Sequence, residues 1–132
     1  MILDSSVLIA ILKEEPEADA FMELIDRGPH CRMSAVNFVE AAVVVDGNRD
    51  PIFSRRFDEF LHDAAIGIEP VTRAQARIAR EAYRDFGKGS GHPARLNFGD
   101  CFAYALAKES GEPLLFKGAD FSHTGIARAS QG

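Results

Sequence analysis

The sequence predicts an α/β protein, a three-layer α/β/α sandwich whose central, mostly parallel sheet has four to five strands. Short apolar runs suited to strands alternate along the chain with amphipathic helical stretches, and this alternation is typical of a parallel sheet with right-handed crossovers. The chain has 132 residues, of which 46% are hydrophobic and 27% charged. These values predict one globular domain spanning residues 1–132 that needs no disulfide or structural metal to fold.

The individual elements follow from apolar periodicity and from residues that begin or end helices. Strands are expected at residues 1–3, 31–33, 68–71 and 113–116, with a last short one at residues 125–129. Helices are expected at residues 5–12, 17–27, 35–46, 52–65 and 73–86, and from Gly99 or Asp100 to residue 110. Ser34 and Thr72 are the predicted N-caps of the third and fifth helices. Residues 87–93 are predicted to form a flexible, glycine-rich loop.

The composition argues against several classes of protein. A formal net charge of −5 is unlike a general nucleic-acid coating protein, but it is compatible with a nuclease whose metal site needs clustered carboxylates. The first residues lack the regions of a signal peptide, and no run approaches the ~20 apolar residues of a membrane span. Cys31 and Cys101 show no metal or redox spacing, so we expect buried thiols in a cytoplasmic protein.

Glu40 is the acid for which a purely structural role, such as helix capping, is hardest to find. It lies in the apolar stretch from Val36 to Val45, with Asn37, one helical turn earlier, as its nearest polar neighbour. Burying a bare carboxylate costs several kcal/mol, so an isolated acid on such a helix must be paired or bind a cation. We therefore predict a functional role for Glu40.

Three further acids occupy positions where a parallel sheet binds ligands, beyond the carboxyl ends of its strands. Asp4 follows the first strand, Asp100 opens the last helix, and Asp120 follows the strand at residues 113–116. Each also has a structural interpretation, because aspartates cap helices and stabilise turns. Together with Glu40 they form an oxygen-rich set without histidines at ligand spacing, which favours Mg²⁺ or Mn²⁺ over zinc.

At these acids the sequence resembles the PIN-domain ribonucleases, and in particular the VapC-type toxins of toxin–antitoxin pairs. The matching segments are residues 4–6 (Asp-Ser-Ser), 34–40, 96–101 and 114–121. Any one of these motifs is common, whereas the ordered set with this spacing is fairly specific, and it covers nearly the whole chain. The resemblance implies a PIN-like fold.

The resemblance also implies roles for individual residues. Asp4, Glu40 and Asp100 would be the metal-binding acids, Asp120 a fourth and more variable one, and Ser6 a hydroxyl that steadies the site. Ser6 could equally help to cap the first helix. The implied reaction is Mg²⁺-dependent hydrolysis of RNA phosphodiester bonds. The implied partners are a VapB-type antitoxin, which blocks the acidic pocket, and a second copy of the chain in a homodimer.

Basic residues in the second half of the chain are candidates for contact with RNA. They are Arg73, Arg77, Arg80, Arg84, Lys88, Arg95 and Lys117. The four arginines numbered 73 to 84 recur at helical spacing on one side of the fifth helix. Phosphate contact there would make RNA binding strongly salt-dependent. A solvated face partly paired with Glu81 and Asp85 explains the arginines equally well, and an ordinary surface lysine is the simpler interpretation of Lys117.

The helix at residues 52–65 contains apolar residues with two possible roles. Phe53, Phe57, Phe60 and Leu61 would either line a groove for a partner or form the core face of an amphipathic helix. Periodicity by itself favours the core face. Antitoxin binding therefore follows from the family resemblance and not from this pattern.

Other functions fit the chain less well. A haloacid-dehalogenase-type phosphatase needs a second aspartate two residues after the first, where this chain has Ser6. A receiver domain needs a phospho-acceptor aspartate after a middle strand, and none follows residues 68–71. A non-catalytic RNA-binding or interaction module on the same fold is a further alternative, against which the intact set of acids argues.

Overall fold

The computed structural model describes residues 1–129, so the last three residues of the predicted domain lie outside the described part of the chain. Four strands occur among the described residues: β1 (Ile2–Leu3), β2 (Arg32–Ser34), β3 (Gly67–Glu69) and β4 (Leu114–Leu115). The α-helices of the same part are α1 (Ser5–Leu12), α2 (Ala18–Arg27), α3 (Ala35–Asp46), α4 (Pro51–Asp63), α5 (Arg73–Phe86) and α6 (Phe98–Ser110). A 3₁₀ turn at Asp120–His123 follows β4.

The described strands form one parallel sheet in the order β3-β2-β1-β4. Ile2 is in register with both Arg32 and Leu114, so the first strand lies inside the sheet and Asp4 stands directly beyond its carboxyl end. The predicted parallel sheet is confirmed. The strand predicted at residues 125–129 is reduced to an isolated bridge between Arg128 and Leu114.

Each face of the sheet packs against its own set of helices. Successive strand residues point to opposite faces, and Leu3 and Leu115 accordingly pack with buried residues of α1 to α4. Ile2 and Leu114 pack with buried residues of α5 and α6 on the other face. This arrangement confirms the three-layer sandwich. Cys31 and Cys101 are free, buried thiols, one in each core.

Polar side chains set the starts of several helices. Ser34 Oγ accepts a backbone N–H of the first turn of α3 at 3.2 Å, and Thr72 Oγ1 accepts one of α5 at 3.1 Å, so both predicted caps are confirmed. The predicted start of α6 at Gly99 or Asp100 is wrong, because Asn97 is the N-cap and the helix begins at Phe98. Phe98 is 70% exposed, so it does not follow the apolar periodicity of the buried face.

Two other boundaries differ from prediction for local reasons. α4 begins at Pro51, a residue well suited to a first helical turn, with Asp50 accepting a backbone N–H as the N-cap. β3 ends at Glu69, before Pro70, which has no N–H to donate to a neighbouring strand. Within residues 1–129, no helix is both long and apolar enough to cross a membrane.

Candidate acidic site

The four predicted acids lie along the carboxyl edge of the sheet. Asp4 follows β1, Glu40 comes from α3, Asp100 lies in the first turn of α6, and Asp120 begins the 3₁₀ turn after β4. Burial has the largest effect in raising the pKa of Asp100, and the charges of Asp4, Asp120 and Glu40 raise it further. The fold therefore brings Asp4, Glu40 and Asp120 within electrostatic reach of Asp100.

Asp4 caps the first helix with one carboxylate oxygen and leaves the other without a hydrogen bond. Its Oδ2 accepts the backbone N–H of Ser6 at 3.1 Å, which confirms the capping interpretation. Its Oδ1 is buried and has no hydrogen-bond partner among residues 1–129. Burial raises the pKa of Asp4; hydrogen bonds from Ser6 lower it, and the charge of Glu40 raises it. A buried carboxylate oxygen without a donor is costly, so this atom would be stabilised by a proton or a cation.

Asp100 also combines a cap with a perturbed carboxyl. Its Oδ2 accepts the backbone N–H of Asn97 at 2.9 Å, and Asn97 Oδ1 accepts the N–H of Asp100 at 2.8 Å, which completes a capping box. Asp100 is 8% exposed. Burial raises its pKa to about 7, although the hydrogen bond from Asn97 acts in the opposite direction. Near neutral pH this carboxyl is therefore partly protonated, and a nearby cation would favour the anion.

The Glu40 carboxylate is held by polar neighbours from two helices. Its Oε1 accepts a hydrogen bond from Ser5 Oγ at the start of α1 and lies 3.4 Å from Asn37 Nδ2. The same Nδ2 donates to the carbonyl oxygen of Gly99 at 3.0 Å. The sequence does not single out Ser5 as a site residue, and it marks Asn37 only as the nearest polar neighbour of Glu40. A second polar residue one turn before an isolated acid was the available signal.

Ser6 and Lys117 connect the first helix with the segment after β4. Ser6 donates its backbone N–H to Asp4 and accepts the N–H of Lys117 on its Oγ at 3.0 Å, so it is placed to steady Asp4. The Lys117 Nζ lies 3.2 Å from both Glu15 and Glu17. The charge of Lys117 is thus compensated away from the candidate acids.

The four acids have no basic counterpart in the described part of the chain. No lysine or arginine there forms an ion pair with Asp4, Glu40, Asp100 or Asp120. Over the same residues, no group of three or more Asp, Glu, His or Cys side chains is arranged to hold a metal ion. Mg²⁺ usually takes one or two protein carboxylates and keeps several waters. The donor set, with a buried Asp4 oxygen that lacks a donor, fits such an ion.

The predicted basic residues on α5 and after it lie on the outer surface. Arg73, Arg77, Arg80, Arg84, Lys88 and Arg95 are all exposed. Arg84 pairs with Asp85 at 2.9 Å, so the solvated-face interpretation holds for that residue. Arg77 and Arg80 form no ion pair within residues 1–129. Arg77 and Arg80 therefore have no acidic partner within these residues that an anionic ligand would need to displace.

Known proteins share both the sequence and the fold. The family profile of the PIN domain matches residues 1–127 of this chain. Ribonuclease VapC28 of Mycobacterium tuberculosis is 53% identical over 129 residues, which make up 98% of this chain and 97% of that relative. The similarity thus extends over nearly the full length of both proteins.

Two solved structures have a similar fold at low sequence identity. VapC20 of Mycobacterium tuberculosis, a sarcin-ricin loop cleaving toxin, matches with a TM-score of 0.75 and 17% identity over 98% of each chain. VapBC2 from Rickettsia felis, solved with a DNA fragment from its promoter, matches with a TM-score of 0.75 and 14% identity over 98% of this chain and 96% of that one. These two support the fold, and the profile and the relative support the family. The chain therefore belongs to the PIN-domain family and, within it, to the VapC ribonucleases.

Proposed function

We propose that this protein is a metal-dependent endoribonuclease, the toxin of a toxin–antitoxin pair, that hydrolyses RNA phosphodiester bonds. The observation that carries the proposal is the group of four acids at the carboxyl edge of the sheet, which no basic side chain of residues 1–129 neutralises. The identity of 53% with ribonuclease VapC28 over nearly the whole chain supports the same activity.

The acids would hold a divalent cation, Mg²⁺ or Mn²⁺. Asp4, Glu40 and Asp100 are the expected ligands, and the exposed Asp120 would add negative charge or a fourth oxygen. When bound, such an ion would lower the pKa of a water molecule and stabilise charge on the phosphate. The Asp4 Oδ1 without a donor is the oxygen best prepared to meet a cation.

The protein's own groups would control protons at this site. The pKa of Asp100 is about 7, so this carboxyl is partly protonated close to neutral pH in the metal-free site. Burial also raises the pKa of Asp4. Binding of a cation would release protons from its ligands, because the ligands must be anionic. The hydroxyl of Ser5 and the N–H groups of Ser6 and Asn97 hold three carboxylates in fixed orientations. The site is thus oriented before a cation arrives.

The exposed side of α5 would bind the RNA backbone. Arg73, Arg77 and Arg80 are exposed, and Lys88 and Arg95 extend the positive surface into the loop before α6. Arginine binds phosphate through a planar fork of donors, and contacts of this kind position nucleic acid without reading its sequence. An acidic protein can thus bind RNA through one local basic surface.

A groove between α2 and α4 would accept the antitoxin. Leu12, Met22 and Phe60 contribute apolar surface to it, and Asp19 and Glu59 are among the acids at its rim. The groove has a volume of about 650 Å³. It would fit a segment with apolar and basic side chains. Of the aromatic residues predicted for a partner groove, Phe57 is 2% exposed and belongs to the core instead.

A second copy of the chain would cover an apolar surface beside the acidic site. Val39, Val43 and Phe98 are 55%, 66% and 70% exposed, which is unusual for large apolar side chains. Exposed apolar residues of this kind are typical of interfaces. We propose that they lie in a homodimer interface, which sedimentation of the protein would test.

The free thiols of Cys31 and Cys101 and an RNA substrate suit a cytoplasmic location.

Substitution of the acids tests the proposed activity. We expect Asp4→Ala and Asp100→Ala to fold, as judged by circular dichroism, and to lose Mg²⁺-dependent cleavage of total RNA by the antitoxin-free protein. Arg55→Ala, on α4, is the control, since its charge is already paired with Glu59. Full activity of a folded, metal-dependent acid variant would contradict the site assignment. A wild-type protein that binds RNA and never cleaves it, whatever metal is present, would favour the non-catalytic module.

A further inference from the structure

The contact between Glu40 and Gly99 sets the position of a candidate ligand. A methyl group built on Gly99 would lie 2.6 Å from Cδ and 2.6 Å from Oε1 of Glu40, and closer still to Oε2. No real Cβ approaches a neighbour so closely, so any side chain at Gly99 would displace this carboxylate. Gly99 directly precedes Asp100, so the space that it leaves open lies next to a second candidate ligand.

The other side of the Glu40 carboxylate is fixed as well. Ser5 Oγ donates to Oε1, and Asn37 Nδ2, at 3.4 Å, points to the same oxygen while it donates to the Gly99 carbonyl at 3.0 Å. Asn37 is completely buried. Its side chain therefore joins α3 to the first turn of α6, and the distance between Glu40 and Asp100 depends on it.

From this geometry we infer that Gly99, with Asn37 and Ser5, is a positioning residue that seats the Glu40 carboxylate against the first turn of α6 for metal binding. We name these three residues the Glu40 clasp. The clasp acts through Glu40 and touches neither metal nor RNA itself. The inference rests on the proposed function, which makes these acids a metal site. Its central test measures metal binding and not RNA cleavage.

Gly99→Ala separates positioning from folding. The group that the new methyl meets is the end of a flexible side chain, so Glu40 can move away without disturbing the backbone. Alanine is favoured over glycine inside a helix by about 1 kcal/mol, and the backbone at Gly99 is not in the left-handed region. We expect Gly99→Ala to be at least as stable as the wild type in thermal unfolding. We also expect its Mn²⁺ affinity, measured by calorimetry or paramagnetic resonance, to fall about tenfold or more.

A second substitution turns this loss into a rescue experiment. Glu40→Asp withdraws the carboxylate by one methylene, which should weaken Mn²⁺ binding in the wild-type background. In the Gly99→Ala background the same change removes the clash, so the double variant should bind Mn²⁺ more tightly than Gly99→Ala. A role limited to helix stability would not produce this reversal of sign. Gly67→Ala is the control, because its methyl would meet the end of the His30 side chain at 3.2 Å and would otherwise make ordinary contacts, with Arg32 Cγ at 3.6 Å and Glu69 Oε1 at 3.7 Å.

Ser5→Ala provides an independent variant should Gly99→Ala fold poorly. It removes the hydroxyl that donates to Oε1 and leaves the space at Gly99 unchanged, so we expect a severalfold loss of Mn²⁺ affinity. Wild-type Mn²⁺ affinity in Gly99→Ala and in Ser5→Ala, or a double variant no better than Gly99→Ala, would overturn the clasp. A wild-type protein that binds Mn²⁺ but cleaves no RNA would contradict the ribonuclease proposal alone, because the binding comparison still decides the clasp.

Discussion

The two edges of the sheet hold acids under opposite electrostatic conditions. At the amino edge, Glu112 accepts a hydrogen bond from the N-terminal ammonium of Met1 at 2.6 Å and pairs with Arg32. Burial by itself would raise the pKa of Glu112, but these two cations outweigh it and hold the pKa below its usual range. At the carboxyl edge, Asp4 and Asp100 have no cation within the described residues, and the pKa of each is raised.

We infer from this difference that the acid at the amino edge supports the fold, whereas those at the carboxyl edge serve the proposed ligand. A carboxyl whose pKa is lowered on folding stabilises the protein at neutral pH, whereas one whose pKa is raised destabilises it there. Perturbed acids that the protein leaves unpaired are typical of functional sites. Removing one charge should therefore have opposite effects on stability at the two edges.

Asp100→Asn should produce the largest change. We expect RNA cleavage to fall more than about a hundredfold, beyond the loss typical of residues that merely orient a ligand. We also expect the metal-free protein to become more stable by on the order of 2 kcal/mol at pH 8, because a pKa shift from 3.8 to about 7 costs at most about 4 kcal/mol before partial solvation is counted. Cleavage assays and urea unfolding would measure both effects. A less stable variant would contradict the comparison of the two edges.

The stability of the metal-free protein should depend on pH in a defined window. Because the pKa of Asp100 is raised from 3.8 to about 7, the folded state binds more protons than the unfolded state between these values. The contribution of Asp100 to the free energy of unfolding is fully present below pH 3.8 and is lost as the pH rises through about 7. Unfolding at a series of pH values, in EDTA and in Mg²⁺, would show this loss, and Mg²⁺ should reduce it. If the stability of Asp100→Asn fell equally as the pH rises, a group other than Asp100 would be responsible for the loss.

Glu112→Gln tests the amino edge and should have the opposite sign. It removes the charge that pairs with Met1 and Arg32, so we expect a loss of about 1–2 kcal/mol of unfolding free energy at pH 7. RNA cleavage at a temperature where the variant is folded should be unchanged. Glu59→Gln is the control, because its exposed pair with Arg55 contributes only a few tenths of a kcal/mol. A stabilised Glu112→Gln would refute the structural role.

The arginines of α5 should show the smallest effect, and they extend the comparison to positive charges. Arg77→Ala and Arg80→Ala should each weaken RNA binding severalfold and reduce the slope of log affinity against log salt by about 0.7 for single-stranded RNA. Arg84→Ala should change the slope less, since Arg84 is paired with Asp85. Binding titrations at several salt concentrations would separate them. Equal slopes for all three variants would mean that pairing does not matter here.

Much of the fold could be predicted because its signals are local. Ser34 and Thr72 cap helices through N–H groups that lie two or three residues away, and the alternation of apolar runs is visible along the chain. The start of α6 was not predictable in the same way, because Phe98 is apolar and yet 70% exposed. The isolated bridge at Arg128 likewise depends on a contact with β4 that no local pattern encodes.

The sequence alone identified the candidate acids, since Glu40 stands isolated on an apolar helix and Asp4 and Asp100 lie beside predicted strand and helix ends. Only the tertiary structure decided how these acids are held. Ser5 and Glu40 lie 35 residues apart in the chain and Asn37 and Gly99 lie 62 apart, so their contacts exist only once α1, α3 and α6 pack together. The absence of a basic partner within residues 1–129 is equally a property of the packed chain. For that reason composition could suggest an acidic site, and three-dimensional packing was needed to orient it.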